Sequence, residues 1–323
     1  MATIAVDQIT KRFGQQIAVD QVSFTVEPGE IFALLGPNGA GKTTTIRIIL
    51  DIFKADSGTV SILGGPMTEL KKNRLGYLPE ERGLYPKMKV LDMVVFMGEL
   101  RGLSHAESKS RAGKWLERLG LAKWTKNKVQ DLSKGMQQKV QFATTLIHEP
   151  ALLILDEPWS GLDPINAEVL RDVVDEVRAQ GRTVLFSTHQ MEQAEKVCDM
   201  VCIIALGKKV LDGKLKDIKR ESIAEGVIAL AFADEKSREL AAAPLDDKKL
   251  VVDRRPPRPG EHADCEVLLA EGVTPHHLLA TLLNHEVNLR LFEVVVPTLH
   301  QIFVAKVGAA AAVADRIEEK DVA

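Results

Sequence analysis

The most explicit chemistry in the chain lies in Gly36-Pro37-Asn38-Gly39-Ala40-Gly41-Lys42-Thr43-Thr44, which follows the apolar run Ile31–Leu35 and opens into Thr45-Ile46-Arg47-Ile48-Ile49-Leu50. Apolar run, glycine-rich stretch and periodic segment read as strand, loop and helix. The glycines let the chain double back with its N–H groups converging, and leave room for a polyphosphate to lie against the backbone. Lys42 supplies a mobile ammonium for the β and γ phosphates and Thr43 a hydroxyl for Mg²⁺, while the helix N-terminus adds about half a positive charge at the same place. The spacing meets the pattern G-x-x-x-x-G-K-[ST] in full, which implies a nucleoside triphosphate. GTPases, kinases and many ATPases share that pattern, so the remaining residues have to separate them.

A second group sits far along the chain. Ala151-Leu152-Leu153-Ile154-Leu155 is a continuous apolar run, as in a strand buried on both faces, and it ends in Asp156-Glu157. Carboxylates at that end of a central strand stand where open α/β sheets bind ligands. Asp156 is placed to hold Mg²⁺ through water and Glu157 to orient or deprotonate an attacking water. Thr183–Thr188 is another buried strand, and His189 follows it. A lone histidine is usually structural, but at this strand end it can also reach a γ-phosphate. Ser133 and Gly135 open the helical segment 137–148; they serve either as a plain N-cap or as a second anion site.

These groups need a sheet and helices to hold them. Thr3–Ile9 and Ser23–Val26 alternate as strands, with Gly14-Gln15 as a turn, and form an antiparallel lead-in to the P-loop strand. Phe13 and Val19 lie in that lead-in. Either the aromatic stacks on a purine while the aliphatic closes the other side, or both are core residues. Ser57–Gly65 reads as a turn and short strand, and Leu75–Tyr85 as a strand running into a loop with the adjacent carboxylates Glu80 and Glu81. Residues 90–121 read as helices, with Leu91, Val94, Val95 and Gly98 sharing a face. Ser160–Pro164 makes a turn before an amphipathic helix over 165–180, and Met200–Leu211 is a closing hairpin.

Composition bounds the rest. The 323 residues suffice for two domains, and a formal charge of −3 gives no support for nucleic-acid binding. Three cysteines, Cys198, Cys202 and Cys265, are too few for a disulfide framework and read as reduced core thiols. No run approaches the ~20 apolar residues of a membrane span, and the N-terminus lacks a signal-peptide pattern, so the expectation is a cytoplasmic protein. Any crossing of a membrane falls to another polypeptide.

Taken together, the ordered set resembles the nucleotide-binding subunit of an ATP-binding cassette (ABC) transporter over roughly residues 4–217. The resemblance rests on Phe13 as aromatic loop, Gly36–Thr44 as P-loop, Leu132-Ser133-Lys134-Gly135-Met136 as family signature, Leu152–Glu157 as the carboxylate strand, Ser160–Pro164 as D-loop and His189 as switch histidine. It implies a mixed core sheet with an antiparallel β subdomain and a helical subdomain, ATP and Mg²⁺ as ligands, and Thr43, Asp156 and Glu80 near the metal. It also implies that two nucleotide domains pack head to tail, each ATP held between one P-loop and the other copy's Ser133 and Gly135, with Asp163 of the D-loop close by. The chain has one set of motifs and no internal repeat, so it must pair with a second copy or a paralogue and serve a separate integral permease. The alternatives are a soluble ABC ATPase of ribosomes or DNA repair and a regulatory cassette.

Three positions depart from the family pattern: Glu80 replaces the usual glutamine, and Lys134 and Met136 replace glycine and glutamine in the signature. Similar wording, Leu78–Tyr85 with Leu132–Met136, occurs in a subgroup resembling sodium and drug exporters. The domain expectation is a cassette over 1–218, a small C-terminal α+β domain over 219–308 resembling the accessory domain of that subgroup, and a frayed tail over 309–323. In the second domain, 227–232, 250–252, 266–269 and 289–296 read as strands and 276–286 as a helix capped at Thr274-Pro275. Pro256–Gly260 marks a loop, and Thr298 and Gln301 suit a capping box for a helix ending near Val307. His276, His277 and His285 show no metal spacing.

Overall fold

A computed structural model describes residues 1–81, 83–223, 226–257, 262–304 and 306. Arg82 of the Leu78–Tyr85 segment, Arg258–Gly260 of the proline-rich loop, the end of the last helix and the tail over 309–323 lie outside the described residues. The described residues fall into two compact units, one over 1–215 with 306 and one over 216–304.

In the first unit, β1 (Ile4–Phe13) and β2 (Gln16–Val26) form a hairpin, β3 (Ile31–Leu35) leads through the glycine loop into α1 (Lys42–Ile49), and β4 (Ser57–Ile62) follows. β4 joins the other side of β1, giving an antiparallel sheet ordered β2-β1-β4. After the short α2 (Glu69–Lys72) come β5 (Leu75–Leu78), α3 (Val90–Leu100), α4 (His105–Arg118), α5 (Lys134–Leu146), β6 (Leu152–Asp156), α6 (Pro164–Ala179), β7 (Thr183–Thr188), α7 (Met191–Glu195), β8 (Met200–Ala205) and β9 (Lys208–Lys214). The second sheet is ordered β5-β6-β7-β3-β8-β9; its first five strands run parallel and β9 closes it antiparallel.

The two sheets share one core. Val6, Val22 and Phe24 from the antiparallel sheet meet Phe32 and Leu34 of β3 and Ile46 and Ile49 of α1, all buried, so α1 packs into the same apolar layer as both sheets. Phe24 and Phe32 stack with centroids 5.1 Å apart. Strands β3, β6 and β7 are buried along their whole length, which is why each carries a continuous apolar run, ended in β6 by Asp156 and flanked in β7 by hydroxyl residues, rather than an alternation. The consequence for chemistry is that the P-loop, Asp156-Glu157 and His189 all leave the same edge of one parallel sheet.

The helices α3, α4 and α5 pack on one another. Gly98 of α3 admits the close approach of α4, because a Cβ there would lie 2.7 Å from Ser108 Oγ. At the end of this group His148 Nε2 donates to Leu75 O at 2.9 Å, leaving Nδ1 buried without a partner, and burial pushes its pKa down to about 4. The unfolded chain therefore binds more protons than the folded one below the ordinary value of 6.5, and stability falls as pH drops from 6.5 towards 4. A His148→Gln variant, which keeps a donor for Leu75 O, is expected to flatten that loss in melting temperature measured against pH.

In the second unit, α8 (Leu215–Ile223) leads to β10 (Val227–Phe232), α9 (Glu235–Asp246), β11 (Val251–Arg255), β12 (Cys265–Leu269), α10 (Pro275–Asn284) and β13 (Leu289–Val294). The strands form an antiparallel sheet ordered β11-β12-β10-β13, so the unit has the split βαβ arrangement of ferredoxin-like folds. Its core joins Ile228 and Leu230 of β10, Val267 of β12, Ala241 of α9 and Leu278 of α10. Thr274 caps α10 by accepting from His277 N–H, and Thr298 and Gln301 make both hydrogen bonds of the expected capping box. α9 is an addition to the sequence reading.

Candidate functional site

The glycine loop has the shape its spacing requires. Gly36 (φ 155°) and Gly41 (φ 104°) cannot carry side chains, since a Cβ would fall 2.1 Å from Ile204 O and 2.4 Å from Ala18 O respectively. The loop is thus clamped between β2 and the end of β8. It lines a cavity of about 360 Å³ with Phe13, Gln16, Ala18, Asn38, Gly39, Ala40, Gly41, Lys42, Thr43, Thr44, Glu80 and Glu157. Lys42 Nζ donates to Gly36 O at 2.8 Å and Pro37 O at 3.1 Å and lies 3.4 Å from Glu157 Oε1. Both side chains of that pair are buried.

The carboxylates are tightly supported. Glu157 sits at φ 49°, an uncommon conformation for a non-glycine residue and the kind of strain that collects at functional sites. Its N–H donates to Ser187 O, its Oε2 accepts from Thr188 Oγ1 at 3.1 Å, and its Oε1 lies 3.0 Å from His189 Nδ1. Asp156 is wholly buried; Oδ1 accepts from the hydroxyls of Ser187 and, at 3.3 Å, Thr43, while Oδ2 has no partner. Burial raises the Asp156 pKa, and the Ser187 and Thr43 hydroxyls oppose that rise. A buried carboxylate with a bare oxygen beside the P-loop threonine fits a small divalent cation. Among the described residues no three His, Cys, Asp or Glu side chains converge as a metal cluster.

The base end differs from the sequence reading at one residue. Phe13 is 46% exposed beside the cavity, as a stacking platform needs. Val19, expected to close the other side of the base, is instead fully buried in the core between the sheets, and Ala18 and Gln16 line the cavity in its place. The cause is register: the β1–β2 ladder shifts between Ile9 and Lys11 and again between Lys11 and Arg12, so simple alternation assigns the wrong face.

Ser133, Gly135 and Asp163 do not line this cavity. Ser133 caps α5, accepting from Met136 N–H at 3.3 Å, and Asp163 caps α6, accepting from Asn166 N–H at 3.0 Å. The two starts touch, since a Cβ on Gly135 would lie 3.2 Å from Asn166 Nδ2, an atom that also donates to Asp163. Ser133 and Asp163 are exposed, and so is Ile165 beside them, at 75%. Residues missed from sequence are Gln16, Ala18, Ser187 and Thr188. The last two were visible as hydroxyls ending a buried strand just before His189.

A parallel sheet whose glycine loop, Lys42 and strand-end Glu157 line one cavity, with Asp156 buried against the loop's Thr43, defines a P-loop nucleoside triphosphatase. The family model described as ABC transporter matches residues 19–160. An uncharacterized ABC transporter ATP-binding protein of Bacillus subtilis (strain 168), YhaQ, is 40% identical over 306 residues, covering 95% of this chain and 99% of its own. A Nod factor export ATP-binding protein I of Paraburkholderia xenovorans (strain LB400) is 34% identical over 275 residues, 84% of this chain and 88% of its own. A solved structure described as the ATP binding subunit of an ABC transporter, 33% identical, superposes with a TM-score of 0.63 over 68% of this chain and 93% of its own. The chain belongs to the ATP-binding subunits of ABC transporters, and it is an ATPase.

Proposed function

We propose that this ATPase drives a separate membrane permease in the export direction, by closing two copies around bound ATP. The observation that carries the reading is the division of the site: one chain offers a phosphate cavity at Gly36–Thr44 and, away from it, an exposed pair of helix starts at Ser133 and Asp163. A second copy facing the cavity with its Ser133 and Gly135 would put a hydroxyl and a helix N-terminus on the γ-phosphate. Export is supported by the Nod factor export relative.

In this scheme Phe13 stacks on the adenine and the P-loop N–H groups and Lys42 bind the phosphates. Thr43 and Asp156, with Glu80 at the cavity wall, would hold Mg²⁺, which when bound neutralises phosphate charge. Glu157 orients the attacking water and accepts its proton, and His189 fixes the Glu157 carboxylate while facing the γ-phosphate. Among the described residues no helix is long and apolar enough to cross a membrane. In this reading the chain works on the cytoplasmic face through its permease. Purification of the tagged chain from solubilised membranes tests this: a protein of several membrane spans should co-elute in fixed proportion and stimulate ATP turnover. Recovery with ribosomes or DNA and no integral protein would overturn it.

A further inference from the structure

The end of α1 packs against Phe13 through a run of contacts. α1 ends in a turn in which Ile52 N–H donates to Arg47 O at 2.9 Å, Asp51 N–H donates to Ile48 O at 3.0 Å, and Asp51 takes a left-handed φ of 61°. Phe53 N–H donates to the same Arg47 O at 3.1 Å. This turn carries the Phe53 ring to the edge of Phe13, with centroids 5.6 Å apart and planes at 70°. The Arg47 guanidinium lies 5.6 Å from the Phe53 centroid. Arg47 therefore grips Phe53 by its carbonyl and by its side chain.

We propose that Arg47 and Phe53 are positioning residues for the nucleotide base, holding the Phe13 ring where the base stacks. The proposal rests on the reading of Phe13 as base platform. A ring 46% exposed at a hairpin end loses rotamer freedom when a ligand stacks on it, and an edge-to-face neighbour that is itself held in place removes that loss in advance. The cation over the neighbour's ring fixes it in turn. The eight-residue α1 then serves both ends of one ligand: it begins with Lys42 at the phosphates and closes with the turn that seats Phe53 at the base.

The test compares ATP with inorganic tripolyphosphate, both with Mg²⁺, in equilibrium titrations of the full chain. Arg47→Ala and Phe53→Ala should weaken ATP about three- to tenfold and leave tripolyphosphate binding unchanged, and Arg47→Lys should recover part of the loss. Unchanged ATP binding, or parallel weakening of both ligands from damage to α1, would overturn the proposal. Phe13→Ala separates the two levels. If it also leaves the ratio of the two affinities unchanged, the base-platform reading fails and the proposal with it. A fall in that ratio for Phe13→Ala alone means only the role of Arg47 and Phe53 is wrong.

Discussion

Replacing Glu157 by Gln lowers steady-state ATP turnover by about 10²- to 10⁴-fold, the range expected when a positioned general base is removed, and leaves ATP binding in place. The substitution keeps the shape of the side chain. Its amide can still accept from Thr188 Oγ1, and the strained backbone at φ 49° is untouched. What disappears is the carboxylate proposed to take a proton from water and the charge facing Lys42 at 3.4 Å. Loss of that buried attraction frees the ammonium for phosphate, so ATP should bind at least as tightly and hold two copies together. Phosphate release and ATP titration on the same preparation check both halves. Turnover within tenfold of the parent would show that another group activates the water.

The second large effect is at Lys42. Lys42→Ala should weaken ATP by about one to two orders of magnitude, since a charge-assisted hydrogen bond to a buried anion contributes ~1.5–3 kcal/mol. The ammonium is buried at 6% exposure and already sits against two carbonyls of its own loop, so its reach to phosphate needs only a small swing from Gly36 O. Removing it leaves the Glu157 carboxylate buried with Thr188 and His189 but no permanent cation, which also lowers stability of the free protein. A titration shows the affinity loss and a thermal melt without nucleotide shows the second effect. Undiminished ATP binding would remove Lys42 from the phosphate site.

Where chemistry demands fixed residue types at fixed spacing, the residues of the candidate site are legible in sequence. The glycine loop, Lys42, Thr43, Asp156 and Glu157 are of this kind, and the strands that carry them are buried apolar runs with no competing periodicity. The face of Val19 depends on register shifts in the β1–β2 ladder on either side of its pairing with Lys11, which no local pattern records; Ala18, one residue earlier, reaches the cavity. The supporting hydroxyls of Ser187 and Thr188 depend on β7 lying beside β6, a long-range pairing. The helix α9 was missed for a different reason. Its buried stripe is Ser237, Ala241, Pro244 and Leu245, small residues and a late proline that give little helical signal, although Asp234 caps it by accepting from Ser237 N–H at 2.7 Å. The order of the second unit's strands likewise follows from pairings between distant segments.

Under the proposed function, each ATP is held by Lys42 of one copy and Ser133 of another. The most direct measurement mixes a Lys42→Ala chain with a Ser133→Ala chain and records ATP turnover. Each variant alone should be nearly silent, since every site in its own dimer is damaged. The mixture should regain turnover, because each mixed dimer contains one site with both residues intact. A mixture no faster than the sum of its parts, or a Ser133→Ala chain that splits ATP at the parent rate as a monomer, would contradict shared ownership of the nucleotide.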